Sequence, residues 1–505
     1  MRAELSGRRL WLALTLCGAA AALGQAPFGW PLVALLPLAG GLGLALPAPT
    51  PRAGFWRGWA LAFGYFLATL HWIVEPFLVD IARHGWMAPF ALVLLAGGMA
   101  LFWGGAAAAA VWLGRGAGLG HRVLALAATL PLAEMIRAVL FTGFPWGMLA
   151  TFWTDTPVRM AAAWGGPYGL VALTVLAAGG LAVLLFERGA GLWRGAAGPA
   201  VLLAVWVGGA ASLQALPPVA GDGPVVRVVQ PNAPQHLKWQ PDMIPVFWRR
   251  KLELTGQPGT LTPDVVVWPE VTLPYLWGSE SEGNAQIARA AGGAVTLVGA
   301  QRFDGAELRN SVGVLDGEGQ PLAVYDKFHL VPFGEYFPGG ALAARLGLAG
   351  LATDMLGGFS SGPGPQVLDL RGQGLGRVLP LICYEAIFPR HGFAPGPRAD
   401  WIVQVTNDAW FGEFAGPQQH LAQARMRAVE QGVPLVRAAN TGISAVIGPA
   451  GQMLAEIPLG VAGVIDVALP APLPPTLYSR TGNWPVLIAA LGLTAGLGLR
   501  RVRGA

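Results

Sequence analysis

Arg377-Val378-Leu379-Pro380-Leu381-Ile382-Cys383-Tyr384-Glu385 is an apolar run that stops at a cysteine, one of two in the 505-residue chain. The run has the length and composition of a buried strand. Two more apolar runs end on a chemically active residue. Asp264-Val265-Val266-Val267-Trp268-Pro269-Glu270 delivers an acid, and Val324-Tyr325-Asp326-Lys327-Phe328-His329-Leu330 delivers an amine. A nucleophile, an acid and an amine at three strand ends are the components of an acyl-transfer site.

Outward from these runs, short β-rich segments alternate with helical patterns. Strands are expected at 225–230, 264–268, 294–299, 311–316, 322–327, 377–382, 401–406, 435–439, 443–448 and 463–467. Helices are expected at about 241–255, 284–292 and 417–432. Strand–helix alternation predicts an α/β layered domain over 224–470, long enough to bury a core of its own. The Pro-rich segment 470–475 reads as a linker.

The rest of the chain is membrane-like. The whole is 54% hydrophobic and 12% charged, with a mean hydropathy of +0.50, against about 25% charged for a soluble domain. Apolar runs predict an α-helical bundle of about eight transmembrane helices, at 10–24, 31–47, 55–74, 88–113, 122–140, 163–186, 195–216 and 484–499. The expected division is then a seven-span domain at 1–216, the α/β domain at 224–470, and 471–505 as linker, eighth helix and basic tail. Leu14-Thr15-Leu16-Cys17-Gly18 faintly resembles a lipoprotein processing site. Leu16 is too bulky for that role and a second apolar span follows, so the first helix is read as uncleaved.

With eight spans, Arg2, Arg8, Arg9, Arg52, Arg57, Arg115, Arg122, Arg188, Arg194, Arg500, Arg501 and Arg503 all fall on one side. That side is the cytoplasm by the positive-inside rule, which places both termini inside and the α/β domain outside. Glu134 and Arg137, three residues apart within the fifth span, are either a mutual ion pair or a contact to a lipid headgroup or to the catalytic domain. The segment Tyr336 to Gly358, with Leu342, Leu346, Leu348, Leu351 and Met355, is either a membrane-dipping lid or an ordinary buried helix and loop. Net charge is +5 and no basic run carries interleaved aromatics, which excludes nucleic acid as a partner. No metal-ligand cluster and no phosphate loop is present in the sequence, so no metal and no cofactor is expected.

The chemistry follows from residue types. A thiolate is a strong nucleophile when neighbouring cations favour it, and Lys327 supplies that charge and can stabilise an oxyanion. Glu270 can accept the thiol proton and return it to a leaving group. The backbone N–H of Tyr384, just past Cys383, is a second oxyanion donor.

Trp268-Pro269-Glu270, Asp326-Lys327-Phe328-His329-Leu330-Val331-Pro332-Phe333-Gly334-Glu335-Tyr336 and Cys383-Tyr384-Glu385 together resemble the carbon–nitrogen hydrolase (nitrilase) superfamily. Gln230-Pro231-Asn232, Lys238-Trp239, Thr406-Asn407-Asp408-Ala409-Trp410-Phe411-Gly412 and Asn440-Thr441-Gly442-Ile443-Ser444 extend the likeness to its membrane-bound branch, the apolipoprotein N-acyltransferases. The resemblance implies an αββα sandwich with Glu270 as base, Lys327 as oxyanion stabiliser and Cys383 as nucleophile. It further implies Glu335 orienting Lys327 or Glu270, Tyr384 and Glu385 as supporting residues, and Trp239 and Asn310 near the substrate pocket. The implied reaction moves an acyl chain from a phospholipid, through a Cys383 thioester, to the α-amine of diacylglyceryl-cysteine on a lipoprotein at a bacterial inner membrane. A membrane-tethered amidase or nitrilase-type hydrolase uses the same triad. A transporter or receptor with a degenerate hydrolase-like domain would be expected to lose a triad member, and all three are present.

Overall fold

The computed structural model describes residues 7–187, 191–217, 221, 223–336 and 358–503. It divides into two units: Met1–Leu216 with Phe414–Ala422 and Pro475–Ala505, and Pro217–Glu413 with Gln423–Pro474. Most of the expected lid segment, 337–357, lies outside the described residues.

The first unit is helical: α1 (Gly7–Ala21), α2 (Pro31–Ala45), α3 (Pro51–Thr69), α4 (Ala88–Leu113), α5 (Leu119–Arg137), α6 (Ala162–Phe186), α7 (Gly191–Gln214) and the carboxyl-terminal helix Trp484–Arg503. Among the described residues, four helical stretches are long and apolar enough to cross a bilayer: Ile81–Leu113, Leu119–Arg137, Pro157–Phe186 and Arg194–Gln214. A fifth follows if Pro51–Thr69 and His71–Leu78, bent by 62°, form one span. This is fewer than the eight expected, and the physical reason is length. α1 and α2 have 15 residues each, about 22 Å of helix against a hydrocarbon core of about 30 Å. The apolar part of the carboxyl-terminal helix, Trp484–Arg500, is also short.

Small residues set the packing in this unit. A Cβ on Gly18 of α1 would lie 1.9 Å from the Leu61 carbonyl oxygen, and one on Gly64 of α3 would lie 1.9 Å from that of Thr15. The two helices therefore touch backbone to backbone, as glycine permits in lipid. Glu134 and Arg137 form a mutual pair within α5: Arg137 Nε donates to Glu134 Oε2 at 3.0 Å, and both side chains are buried. Trp103 Nε1 on α4 donates to Glu134 Oε1 at 2.7 Å, and an Arg137 N–H donates to the Trp146 carbonyl at 2.8 Å. These partners compensate charges that would otherwise be costly at this depth.

The second unit is built on two six-stranded mixed sheets. The first comprises β1 (Val225–Gln230), β2 (Val265–Val267), β3 (Val295–Asp304), β4 (Glu307–Leu315), β5 (Pro321–Asp326) and β12 (Gly463–Ala468), in the order β12-β1-β2-β3-β4-β5. The second comprises β6 (Leu368–Asp369), β7 (Arg377–Ile382), β8 (Trp401–Thr406), β9 (Leu435–Ala439), β10 (Ser444–Ile447) and β11 (Met453–Ile457), in the order β11-β10-β9-β8-β7-β6. β1-β2-β3 and β7-β8-β9 are parallel, and the outer pairings are antiparallel.

Strand alternation decides the layers. Val265 and Val267 face inward and join Val226, Val228, Leu297, Val312 and Val314 against Val378, Ile382, Val403, Val405, Val436 and Val446 of the other sheet. Val266 and Trp268 face outward and pack with Ile287 and Ala291, partly covered by Trp248 and Leu252. Those last four belong to α8 (Ile244–Gly256) and α9 (Ser281–Ala291). The parallel pair β8–β9 requires a crossover, supplied by α10 (Gly416–Gln431). Two mixed sheets face to face with a helical outer layer fit the expected nitrilase-like sandwich.

Candidate active site

The site forms at the carboxyl ends of β2, β5, β7 and β8. β2 runs into Trp268-Pro269-Glu270, and β5 and β7 end one residue before Lys327 and Cys383 respectively. Cys383 adopts φ 50 at the turn from β7 into a 3-10 helix, Cys383–Ile387. A non-glycine residue with positive φ is uncommon and marks stored strain. Here it swings the cysteine out of the strand direction. Val271, next to Glu270, has φ 46, a greater anomaly for a β-branched residue.

Lys327 is 1% exposed and lies between two acids. Its Nζ donates to Glu270 Oε1 at 3.2 Å and to Glu335 Oε1 at 2.8 Å. Asn310 Nδ2 donates to the same two oxygens at 2.8 and 3.2 Å. The second Glu270 oxygen accepts from the Asn407 backbone N–H at 2.9 Å, so that carboxylate is held from both sheets. Glu335 Oε2 accepts from the Val331 N–H at 2.8 Å. Burial alone would lower the Lys327 pKa, yet Glu270 and Glu335 hold it above the ordinary lysine value. The ammonium is therefore charged throughout the neutral range.

Burial pushes the Cys383 thiol well up. Glu270 and Asp408 push the same way, while Lys327 and a hydrogen bond with Thr406 favour the thiolate. In this buried geometry the sulfur rests as a thiol. Nucleophilic attack then needs the proton taken as the bond forms, which is a general base's task.

Glu385 is fully buried and accepts four hydrogen bonds. Oε1 takes the backbone N–H groups of Phe328 (2.8 Å) and His329 (3.2 Å), and Oε2 takes the Tyr325 hydroxyl and the Ile382 N–H, each at 2.8 Å. It thereby ties the chain after Lys327 to the chain before Cys383. Burial pushes its pKa up to about 7, against the pull of the Ile382 and Phe328 N–H groups, Lys327 and the Tyr325 hydroxyl. Glu385→Gln should set an amide NH₂ against one of these donors. Each buried donor left unpaired costs about 1–3 kcal/mol, and the loss should be read as a lowered unfolding midpoint together with slower turnover. An unchanged midpoint would show that the bonds to the replaced oxygen are dispensable.

Of the other expected site residues, Asn310 and Glu335 join the Lys327 cluster directly. Tyr384 is buried in the turn after Cys383. Trp239 stands apart: 43% exposed, it lines a small cavity with Lys238, Phe247, Lys251 and Pro274.

Sequence reasoning missed an arrangement behind Cys383. Gln404 Nε2 donates to the Cys383 carbonyl at 3.2 Å, and Arg437 donates to Gln404 Oε1 at 2.6 Å. Arg437 also pairs with Asp408, which accepts from Thr406 Oγ1 at 2.9 Å. Thr406 closes the ring on the thiol. Leu381, Gln404 and Arg437 share one register across β7, β8 and β9. The available signal was a lone arginine inside the apolar strand Leu435–Ala439, which needs a buried partner.

Comparison with known proteins places this site in context. Residues 227–473 match the family model for carbon-nitrogen hydrolases, and residues 17–180 match that for the apolipoprotein N-acyltransferase N-terminal domain. The apolipoprotein N-acyltransferase of Rhodopseudomonas palustris is 40% identical over 499 residues, covering 94% of this chain and 92% of the relative. That of Brucella suis is 39% identical, covering 98% and 96%, and that of Caulobacter vibrioides 38%, covering 97% and 94%. This chain belongs to the apolipoprotein N-acyltransferase family. It is an acyltransferase built on a carbon–nitrogen hydrolase domain, and its apolar helices and bacterial relatives make it a membrane-embedded bacterial enzyme. A tethered amidase or nitrilase-type hydrolase is not favoured, because the relatives match across both regions of the chain. A solved amidase from Nesterenkonia sp. is 22% identical with a TM-score of 0.34, covering 50% of this chain and 92% of that one.

Proposed function

We propose that this enzyme transfers an acyl chain from a membrane phospholipid to the N-terminal amine of diacylglyceryl-cysteine on lipoproteins, with Cys383 carrying the acyl group as a thioester. The observation that carries the reading is Lys327, buried between Glu270 and Glu335 with its charge acting on the Cys383 thiol. Glu270 takes the thiol proton as sulfur attacks the ester carbonyl. Lys327 Nζ and the Tyr384 backbone N–H stabilise the oxyanion. Collapse breaks the ester C–O bond, and the leaving lysophospholipid oxygen takes the proton from Glu270. In the second half-reaction the acceptor amine attacks the thioester, Glu270 takes its proton, and the departing thiolate is reprotonated to the resting thiol. Glu335, Asn310 and Glu385 position these groups, and Trp239 contributes to substrate binding.

Both substrates carry acyl chains, each costing about 0.8 kcal/mol per CH₂ exposed to water, so the reaction belongs at a bilayer surface. The division 1–216, 224–470 and 471–505 belongs to the same proposal, as do both termini in the cytoplasm, the catalytic domain in the periplasm of an inner membrane, and eight passes. The one-sided arginines support that orientation. The short helices α1 and α2 and the carboxyl-terminal helix would then match the bilayer by local thinning.

The test is to incubate the detergent-solubilised protein with a phospholipid and weigh Cys383 by intact and peptide mass spectrometry. A single acyl increment, discharged by a diacylglyceryl-cysteine peptide and stable in water, is expected. An absent adduct, or one lost to water without acceptor, would overturn the proposal.

A further inference from the structure

The turn that carries Glu270 is strained and held from behind. Val271 sits at φ 46 immediately after it. On one side the turn lies directly on β3: the Thr272 N–H donates to the Gly299 carbonyl at 2.8 Å, and a Cβ on Gly299 would lie 2.2 Å from the Pro269 carbonyl oxygen and 2.6 Å from Glu270 Cα. On the other side two buried lysines reach the turn's carbonyls. Lys238 Nζ donates to the Glu270 carbonyl at 3.3 Å, and Lys251 Nζ donates to that of Thr272. Among the described residues neither lysine donates to a carboxylate, and both are at least nine-tenths buried. Lys251 Nζ instead lies 5.3 Å from the ring centroids of both Trp248 and Trp268, and Lys238 Nζ lies 5.2 Å from that of Trp239.

This arrangement is costly as packing alone. A buried lysine that makes no hydrogen bond to a carboxylate gives up its hydration for a carbonyl and an aromatic face, and a methionine would fill the same volume without that loss. Burial lowers the pKa of both amines, Lys238 to about 8 against the pull of the Glu270 charge, and Lys238 lowers Lys251 further by repulsion. Two such groups on carbonyls two residues apart, flanking a left-handed valine, restrain a backbone that would otherwise relax.

We infer that Lys238 and Lys251 are positioning residues that hold the strained Pro269–Thr272 turn so that the Glu270 carboxylate meets Lys327 and the reacting proton. The inference rests on the reading of Glu270 as the base. It gives the Lys238-Trp239 segment a role in the chemistry besides substrate contact. It also assigns one to Lys251, which the sequence presents only as a polar residue of the expected helix at about 241–255.

The test compares the full-length, detergent-solubilised enzyme with Lys251→Met, Lys238→Met and Glu270→Gln. Each is mixed with dioleoyl phosphatidylethanolamine in mixed micelles, the acyl-enzyme is quantified by rapid quench and mass spectrometry, and unfolding midpoints are recorded in parallel. Lys251→Met should keep or raise the midpoint while its maximal acylation rate falls about 100-fold, the scale of a misplacement near 1 Å, with the half-saturating lipid concentration unchanged. Lys238→Met should behave alike and serves as the readout if Lys251→Met does not fold. Lysine variants with the wild-type maximal rate beside an inactive Glu270→Gln would overturn the inference and leave the base reading intact. A rate loss that only tracks a falling midpoint would reduce both lysines to ordinary structural residues. A fully active Glu270→Gln would instead overturn the base reading itself.

Discussion

Cys383→Ala should abolish the acyl-enzyme and lower turnover by on the order of 10⁴- to 10⁶-fold, as loss of a nucleophile does elsewhere. The substitution removes one sulfur from a position whose backbone is held by other atoms. The Cys383 carbonyl is tied to Gln404, and the following turn is fixed by Glu385 on the Ile382 N–H. The fold should therefore survive, and the loss is chemical. Cys383→Ser should also fail to accumulate an acyl adduct, because a buried hydroxyl is a far weaker nucleophile than a thiol in the same place. Cys17, in α1 outside the α/β unit, is the control: Cys17→Ala should turn over at the wild-type rate. Transfer retained in Cys383→Ala, measured with phospholipid donor and lipopeptide acceptor, would make Cys383 a buried small residue and nothing more.

The candidate strand ends were legible because each sets a charge or a thiol at the end of an apolar run, a local conflict that a buried strand does not itself require. Pattern reading placed Glu270, Lys327 and Cys383 at strand ends, and the structure brings them within reach of one another. What it could not read is partnership across the sheets. Asn407 on Glu270, and Gln404 and Arg437 behind Cys383, become partners only through register. Lys251 faces inward from a helix whose polar and apolar residues do not separate cleanly in the sequence. The β3–β4 hairpin was expected to stop at 299 and resume at 311, but it runs on to Asp304 and back from Glu307. Those extra rungs are partly exposed and polar, so hydrophobic alternation fades while hydrogen bonding continues. β6 and β11 were missed for the same reason: one has two residues, and the other is half-exposed along most of its length. For the span count, apolar composition was legible in α1 and α2, whereas helix length, by which four or five of the described stretches can cross a bilayer, was not fixed by it.

Lys327→Met should be as damaging as loss of the nucleophile, but it should leave a distinct signature on the thiol. Opposing effects meet at Cys383: burial and the charges of Glu270 and Asp408 raise its pKa, while Lys327 and a hydrogen bond with Thr406 lower it. Removing the cation removes a full positive charge that favours the thiolate, so the thiol pKa rises further and the thiolate fraction at any given pH falls. Alkylation of Cys383 by iodoacetamide should then slow, and its rate-against-pH curve should move to higher pH. Lys327→Arg should not restore turnover, because a planar guanidinium cannot occupy the 2.8 and 3.2 Å contacts of Nζ with Glu335 and Glu270 while pointing at the same oxyanion. Glu335→Gln separates the lysine's two roles. It keeps a hydrogen-bond acceptor for Nζ and leaves Glu270 in place, so turnover should fall less than in Lys327→Met and the alkylation curve should shift little. The expected ordering is set by which charge faces the sulfur. An alkylation curve in Lys327→Met that stays in place or moves to lower pH would show that the ammonium does not act on the thiol, and its part in the chemistry would then be confined to holding Glu270 and Glu335.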